Sequence, residues 1–354
     1  MKKEGQITGI KHISIINNLI LISSSYSLLL NGKVLVESDN IGGSLLSDKW
    51  LYFMDNNRTV LSKIGEDKTY EDNSRKKYFW NSINLDNFSV AVGINKKLMG
   101  NSIWVFEYWQ YNFQTQELIP LNQVQSYPIP VIWEGHLLFD ETKFLLSAFS
   151  IEKKEIVWQF KLFENFKYDR TWGDGEFYHF VGVWNNILWI DIKESHLIGL
   201  DTQTGRLKYD FCKPSKIFGK GTKPYHHQLH DKFCSNIDKE RNLLFGFHYD
   251  TYWEVNLNDS NPELYFYIFE EECTKYNCFL ALSMRYCYDK QNLYYIDAFN
   301  GTISSINRDT KAFQFLYQFP EASAGTLMEI QVSLDKIYVL DNQGTLHIFE
   351  RETV

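Results

Sequence analysis

The chain is short of proline, with seven in 354 residues, and no apolar run approaches the ~18 to 20 residues that a membrane helix needs. No membrane partner is expected. The five cysteines (Cys212, Cys234, Cys273, Cys278, Cys287) are odd in number and show no C-x-x-C spacing, which argues against a disulfide framework and for reduced thiols in a cytosol. Positive charge is also in deficit: 36 Lys and Arg face 44 Asp and Glu, a net charge of -8. A general nucleic-acid binder neutralises phosphates with many basic residues, so nucleic acid is not the expected partner. Catalytic signatures are missing as well. There is no G-x-S-x-G, no phosphate-cradling G-x-x-x-x-G-K-[ST] and no H-E-x-x-H. The N-terminal MKKEGQITGIKHISIINNLILISS has two lysines and apolar residues, but Glu4, Gly5 and Asn17-Asn18 interrupt a signal core. A cytoplasmic protein is expected.

What is abundant is aromatic and alternating. Phe, Tyr and Trp make up 16% of the chain, and apolar positions follow a period of two, broken by Asn, Gly, Asp and Lys clusters. A unit of about 45 residues recurs, clearest in NNILWIDIKESHLIGLDTQTGRLKYDF, QNLYYIDAFNGTISSINRDTKAFQFLYQF and DKIYVLDNQGTLHIFERET. One small sheet cannot bury both faces, so such units stack on their neighbours. The registers fall at 10–37, 43–70, 78–120, 127–162, 179–211, 226–269, 279–319 and 328–350, with the first two short enough to be overcounted. The last unit supplies only three strands, and residues 7–14, or those just before them, are expected to supply its fourth.

Each unit's second strand tends to end in Asp: Met54-Asp55, Phe139-Asp140, Ile190-Asp191, Ile296-Asp297 and Leu340-Asp341. These are expected to be turn formers, because an Asp carboxylate at a strand corner accepts from nearby backbone N–H groups. Five carboxylates spread over five units do not converge on one metal ion.

The segment LIGLDTQTGRLKYDF resembles the repeat of quinoprotein-like β-propellers, a superfamily with PQQ-type and WD-type repeats, through Leu200, Asp201, Thr204, Gly205, Arg206 and Tyr209. Fainter copies are Gly301, Ile306, Asn307, Thr310 and Lys311, then Gly344, Leu346 and Thr353. The resemblance implies an all-β fold: a single closed β-propeller over residues 1–354, with seven or eight four-stranded antiparallel blades and the N- and C-terminal strands closing the ring. Members of that superfamily include enzymes and noncatalytic scaffolds. This chain lacks a coherent set of stacking tryptophans, acidic metal ligands and basic contacts for a quinone, so a noncatalytic member without cofactor or metal is expected.

The local candidates are few. KPYHHQLHDKF (223–233) carries His226, His227 and His230, but it opens a unit and is expected to be strand, which spreads His226 and His230 ~13 Å apart, too far for one zinc. These two, with His179, are instead candidate channel residues for the alternative function, an enzyme or small-molecule or metal binder using a central channel. Cys273 and Cys278 have C-x4-C spacing without the second pair that a zinc site needs. The long connections between units are 71–77, 163–176, 212–224 and 270–277, and propeller geometry puts them on one face. They carry Arg75, Lys76, Tyr168, Arg170, Trp172, Asp174, Glu176, Lys213, Lys216, Lys220 and Lys223. Trp, Tyr and Arg anchor interfaces, and long loops in compact domains tend to be functional. The expected function is protein binding by a monomer through that face, to an assembly partner or, as a bacterial immunity protein, to a toxin.

Overall fold

A computed structural model describes residues 1–16, 19–39, 41–46, 50–56, 58–64, 69–72, 78–84, 89–99, 103–112, 115, 117–124, 131–133, 136–142, 144–150, 152–165, 176–193, 196–229, 235–278, 285–298, 300–320, 327–333 and 335–351. These residues form eight sheets, seven of four strands and one of five, and all pairs but one are antiparallel. In chain order the sheets span 10–37, 41–72, 78–124, 131–161, 177–211, 236–268, 286–318 and 327–350. The expected registers and the observed sheets coincide to within about four residues, except that the sixth and seventh sheets begin at 236 and 286 where 226 and 279 were expected.

The eighth sheet completes itself with the other end of the chain. Lys2–Ile7 pairs with Leu346–Glu350, from Lys2 opposite Glu350 to Ile7 opposite Leu346. The donated strand therefore lies just before the 7–14 segment, whose own Ile10–Ile16 starts the first sheet. Lys336 Nζ meets Glu4 at 3.2 Å beside it, and the Ile10 N–H reaches the Gly344 carbonyl at 2.9 Å.

The chain divides into two compact units, Met1–Arg75 with Phe269–Val354, and Lys76–Ile268. In each, the alternation of the strands presents apolar side chains to the neighbouring sheet. In the first unit, Ile10, Ile13, Tyr338, Leu340 and Leu346 pack the eighth sheet on the first, while Leu21, Leu28, Ile41, Leu51, Phe53 and Val60 pack the first on the second. In the second unit, the fourth sheet meets the fifth through Trp158, Phe160, Leu188, Ile190 and Leu200. Trp189, Leu244, Trp253 and Phe266 join the fifth to the sixth. Each such fully buried side chain contributes roughly 1.5–3 kcal/mol relative to exposure.

The repeat's corner has a definite bond pattern. Asp201 accepts from the N–H groups of Gln203 (3.2 Å) and Thr204 (2.9 Å) and from the Thr204 hydroxyl (2.8 Å). Asn307 takes the same three bonds from Asp309, Thr310 and the Thr310 hydroxyl at 3.0, 2.9 and 3.1 Å. The next residue is left-handed in both, Gly205 at φ 69° and Lys311 at φ 60°. The fainter copy is thus the same turn, with Asn for Asp and a strained Lys where Gly is free.

Among the described residues, three connections that the sequence presents as plain loops contain secondary structure, and the first, 163–176, opens on the short helix Leu162–Asn165. Lys216–Phe218, inside 212–224, is a fifth strand laid parallel on Leu264–Ile268. Glu270–Tyr276 is an α-helix, with three glutamates in its first turn and Lys275 in its last, as the helix dipole favours.

Candidate functional site

The connection 212–229 runs from the outer strand of the fifth sheet to the sixth and crosses the end of the sixth where its second and third strands turn. Its course is set by a run of Gly221, Thr222, Lys223 and Pro224. Pro224 supplies the fixed φ that suits a first helical position, and Pro224–His227 forms a single 3-10 turn. The expected strand at 223–233 is therefore corrected for this part: proline at the start and the turn's own bonds favour a helical turn.

His226 is fully buried by that turn. The Lys223 N–H donates to its Nδ1 at 3.1 Å, so the ring proton sits on Nε2 and is donated to Asp250 Oδ1 at 2.8 Å. Asp250, at the second corner of the sixth sheet, also accepts from the hydroxyls of Tyr225 and Thr251, each at 3.4 Å. His248 Nε2 lies 2.9 Å from the Tyr225 carbonyl. The Tyr225 ring stands edge-on to His226 (4.6 Å) and lies over Tyr249 (4.5 Å), a residue in left-handed backbone at φ 51°. Gly221 passes so close that an added Cβ would sit 2.0 Å from His226 Nδ1. Glycine at this position is what lets the connection lie down on the ring.

A second anchor holds the edge strand. Phe218 stacks flat on Tyr267 at 4.8 Å, and Lys216 Nζ lies 4.6 Å above the Phe218 ring. The Tyr267 and Tyr252 hydroxyls donate to the two oxygens of buried Glu254, at 3.2 and 2.7 Å. Burial and then the Glu254 charge push both phenols well above their ordinary range. Both therefore stay protonated donors across physiological pH.

The four lysines Lys213, Lys216, Lys220 and Lys223 are all exposed, and they rise from a connection fixed at Phe218 and His226. Exposed Ile217 lies among them. Of the remaining residues singled out in the sequence, Glu176 meets Lys193 Nζ at 3.2 Å, tying the connection before the fifth sheet to that sheet's own second turn. The same end-to-end meeting recurs at Asn277 and Asn300 (3.2 Å), beside the seventh sheet. Arg75, Lys76, Tyr168, Arg170, Trp172, Asp174 and His230 lie outside the described residues.

His179 stands on the first strand of the fifth sheet with Nδ1 3.4 Å from Asp191 Oδ2, while the Ser235 hydroxyl donates to Asp191 Oδ1 at 2.9 Å. The serine bonds the carboxylate and not the imidazole, which is the wrong order for a nucleophile activated by histidine. Among the described residues no three His, Cys, Asp or Glu side chains are grouped to hold a metal ion.

The corner aspartates divide. Asp297 accepts the Asn300 N–H at 3.2 Å, and Asp341 accepts those of Gln343 and Thr345 at 2.9 and 2.8 Å, as turn formers do. Asp55 takes the Ser38 hydroxyl, Asp191 reaches the neighbouring sheet through Ser235, and the Asp140 side chain lies outside the described residues. Asp250 occupies the same corner but follows His-Tyr in place of an aliphatic residue, so the strand-Asp pattern passes over it. Its corner position in the sixth register was the available signal.

The chain matches no protein-family model and no curated protein. Solved structures that it is similar to along nearly its whole length include the following three. BamB from Moraxella catarrhalis superposes with a TM-score of 0.53 at 12% identity, over 99% of this chain and 98% of that one. Sqt1 from Saccharomyces cerevisiae gives 0.55 at 11%, over 100% and 98%, and the computationally designed Ika8 protein 0.53 at 11%, over 99% and 98%. At these identities the likeness shows the fold alone, and that fold is propeller-like.

Proposed function

We propose that this chain is a noncatalytic scaffold that binds another protein through the sheet ends that carry the connections between sheets, with Lys213, Lys216, Lys220 and Lys223 as its basic anchor. The observation that carries this reading is the latch: a buried anchor at His226 and a half-buried one at Phe218, with a glycine and a proline, hold an exposed lysine-rich connection in one shape. A loop that is ordered before binding loses less entropy on contact, which strengthens association. On a chain of net charge -8, four clustered lysines select an acidic patch on the partner.

Arg75, Lys76, Tyr168, Arg170, Trp172, Asp174 and Glu176 extend the same proposed surface. A propeller-like fold suits such a role, since repeated sheets form a rigid support for variable connections. The single-domain reading, one closed ring over residues 1–354, belongs to the same proposal, supported by a likeness that spans both ends of the chain, and a cytoplasmic monomer is proposed with it. Calorimetry tests it: one cooperative transition is expected, and two separated transitions would contradict it. The specific role proposed within this class is a bacterial immunity protein that masks a toxin. Its test is the neighbouring gene: co-expression with the product of an adjacent toxin gene is expected to restore growth and yield a stable complex, and failure of both removes the immunity role.

The rival reading, a small-molecule site, is favoured only by the His179, Asp191 and Ser235 node. His179→Ala is expected to leave partner capture unchanged if the protein-binding reading holds.

A further inference from the structure

The helix Glu270–Tyr276 ends where Asn277 takes left-handed backbone, φ 48°. Two bonds close it: Cys278 N–H to the Cys273 carbonyl at 3.0 Å, and Asn277 N–H to the Thr274 carbonyl at 3.4 Å. This is the Schellman ending, a geometry that brings together the side chains of the residues joined by the longer loop. Here both of those residues are cysteines. They are 5% and 1% exposed, both are unbridged, and their side chains hydrogen-bond to each other. The Cys273 thiol holds the Cys278 thiol below its ordinary range against the opposing effect of burial, which favours Cys278 as a nucleophile. Cys287 differs: burial pushes its thiol well up, which slows its reaction.

We infer that Cys273 and Cys278 form an oxidisable dithiol, a modification site whose reagent is a hydroperoxide and whose product is an intramolecular disulfide across the end of this helix. The Cys278 thiolate attacks one peroxide oxygen; the O–O bond breaks, water leaves with the proton, and Cys278 becomes a sulfenic acid. Cys273 sulfur then attacks the Cys278 sulfur, the S–O bond breaks and a second water leaves. Two thiols and one hydrogen peroxide give one disulfide and two waters, each sulfur losing one electron and the peroxide gaining two. The short chain path suits the ~4.4–6.8 Å Cα separation that a disulfide needs, because the Schellman bond already draws the two backbones together.

The test treats the full chain with increasing hydrogen peroxide, traps remaining thiols with iodoacetamide and maps peptides by mass spectrometry. The peptide holding both residues is expected to lose two hydrogens and both alkylations at peroxide levels about 10-fold below those that modify Cys287, with full recovery in dithiothreitol. Cys273→Ser is expected to stop the reaction at the sulfenic acid, seen as a dimedone adduct on Cys278. Alkylation of both residues persisting after Cys287 has reacted, a bridge from Cys278 to Cys287 or to a second chain, or no dimedone adduct in the variant would each overturn the inference.

Discussion

Replacing His226 with Ala removes the ring on which the lysine connection rests. The lost bond is 2.8 Å long and joins a fully buried imidazole to a carboxylate that is 4% exposed. Asp250 then keeps only the two 3.4 Å hydroxyl contacts from Tyr225 and Thr251. Leaving a buried group without its hydrogen-bond partner costs about 1–3 kcal/mol, and the most when that group is charged. The upper end applies here, because the neutral imidazole is removed from a carboxylate that stays buried, so the expected cost is ~3 kcal/mol. For a chain of this size that is a fall in Tm of roughly 6 °C, at about 2 °C per kcal/mol. Asp250→Asn keeps Oδ1 as an acceptor for the Nε2 proton, and loses the charge and the long Tyr225 hydroxyl contact to Oδ2, so about 1 kcal/mol, or ~2 °C, is expected. Circular dichroism melts of the two variants beside the parent protein give both numbers. A His226→Ala melt within about 1 °C of the parent, or Asp250→Asn the more damaging of the two, would refute the latch as drawn.

Three further outcomes follow from other parts of the molecule. Gly205→Ala places a Cβ 2.5 Å from the Trp158 ring at a φ of 69°, while Trp158 is tied by its Nε1–H to the Thr202 carbonyl at 2.8 Å; a loss of about 2–3 kcal/mol is expected in a melt. Deleting residues 1–7 strips the eighth sheet of its fourth strand; since that strand is mostly exposed, its ladder bonds dominate, and ~3 kcal/mol of lost stability with new edge-driven aggregation is expected by melting and light scattering. At alkaline pH, Tyr294, pushed up to about 12 by burial and then by the Asp289 charge, and the higher Tyr252 keep protons that an unfolded tyrosine releases near pH 10. The unfolded state then binds fewer protons than the native one, so stability is intact below pH ~10 and falls as pH rises above it. Ultraviolet titration is expected to show these phenols ionising together with unfolding, and ionisation well before unfolding would contradict their buried placement.

The sheets were legible because alternation with a fixed period leaves each strand one buried face, and that signal is local. The strand exchange was legible too, from a unit one strand short, although the donated residues lie a few positions earlier, where Lys2–Ile7 alternates too weakly to stand out. What escaped the sequence reading depended on tertiary partners or short signals. Three residues, Lys216–Phe218, become a strand because Phe218 finds Tyr267, a partner nearly fifty positions away. Pro224 four residues before Gln228 was a readable helical-turn signal, and the glutamate-rich start and Asn277 end of Glu270–Tyr276 were readable caps. The lysines of the candidate site could be named from charge alone. Asp250 and Gly221, which fix their position, could not, because each matters only against His226.

The proposed partner-binding surface, these lysines held in place in advance of contact, is tested by quantitative affinity capture from the native host with the parent protein and with the Lys216→Glu, Lys220→Glu double variant, both confirmed to melt at the same temperature. One protein is expected to be retained by the parent in a salt-sensitive way and reduced about 10-fold or more by the double reversal, with His226→Ala intermediate. Equal capture of that protein by parent and double variant would contradict it.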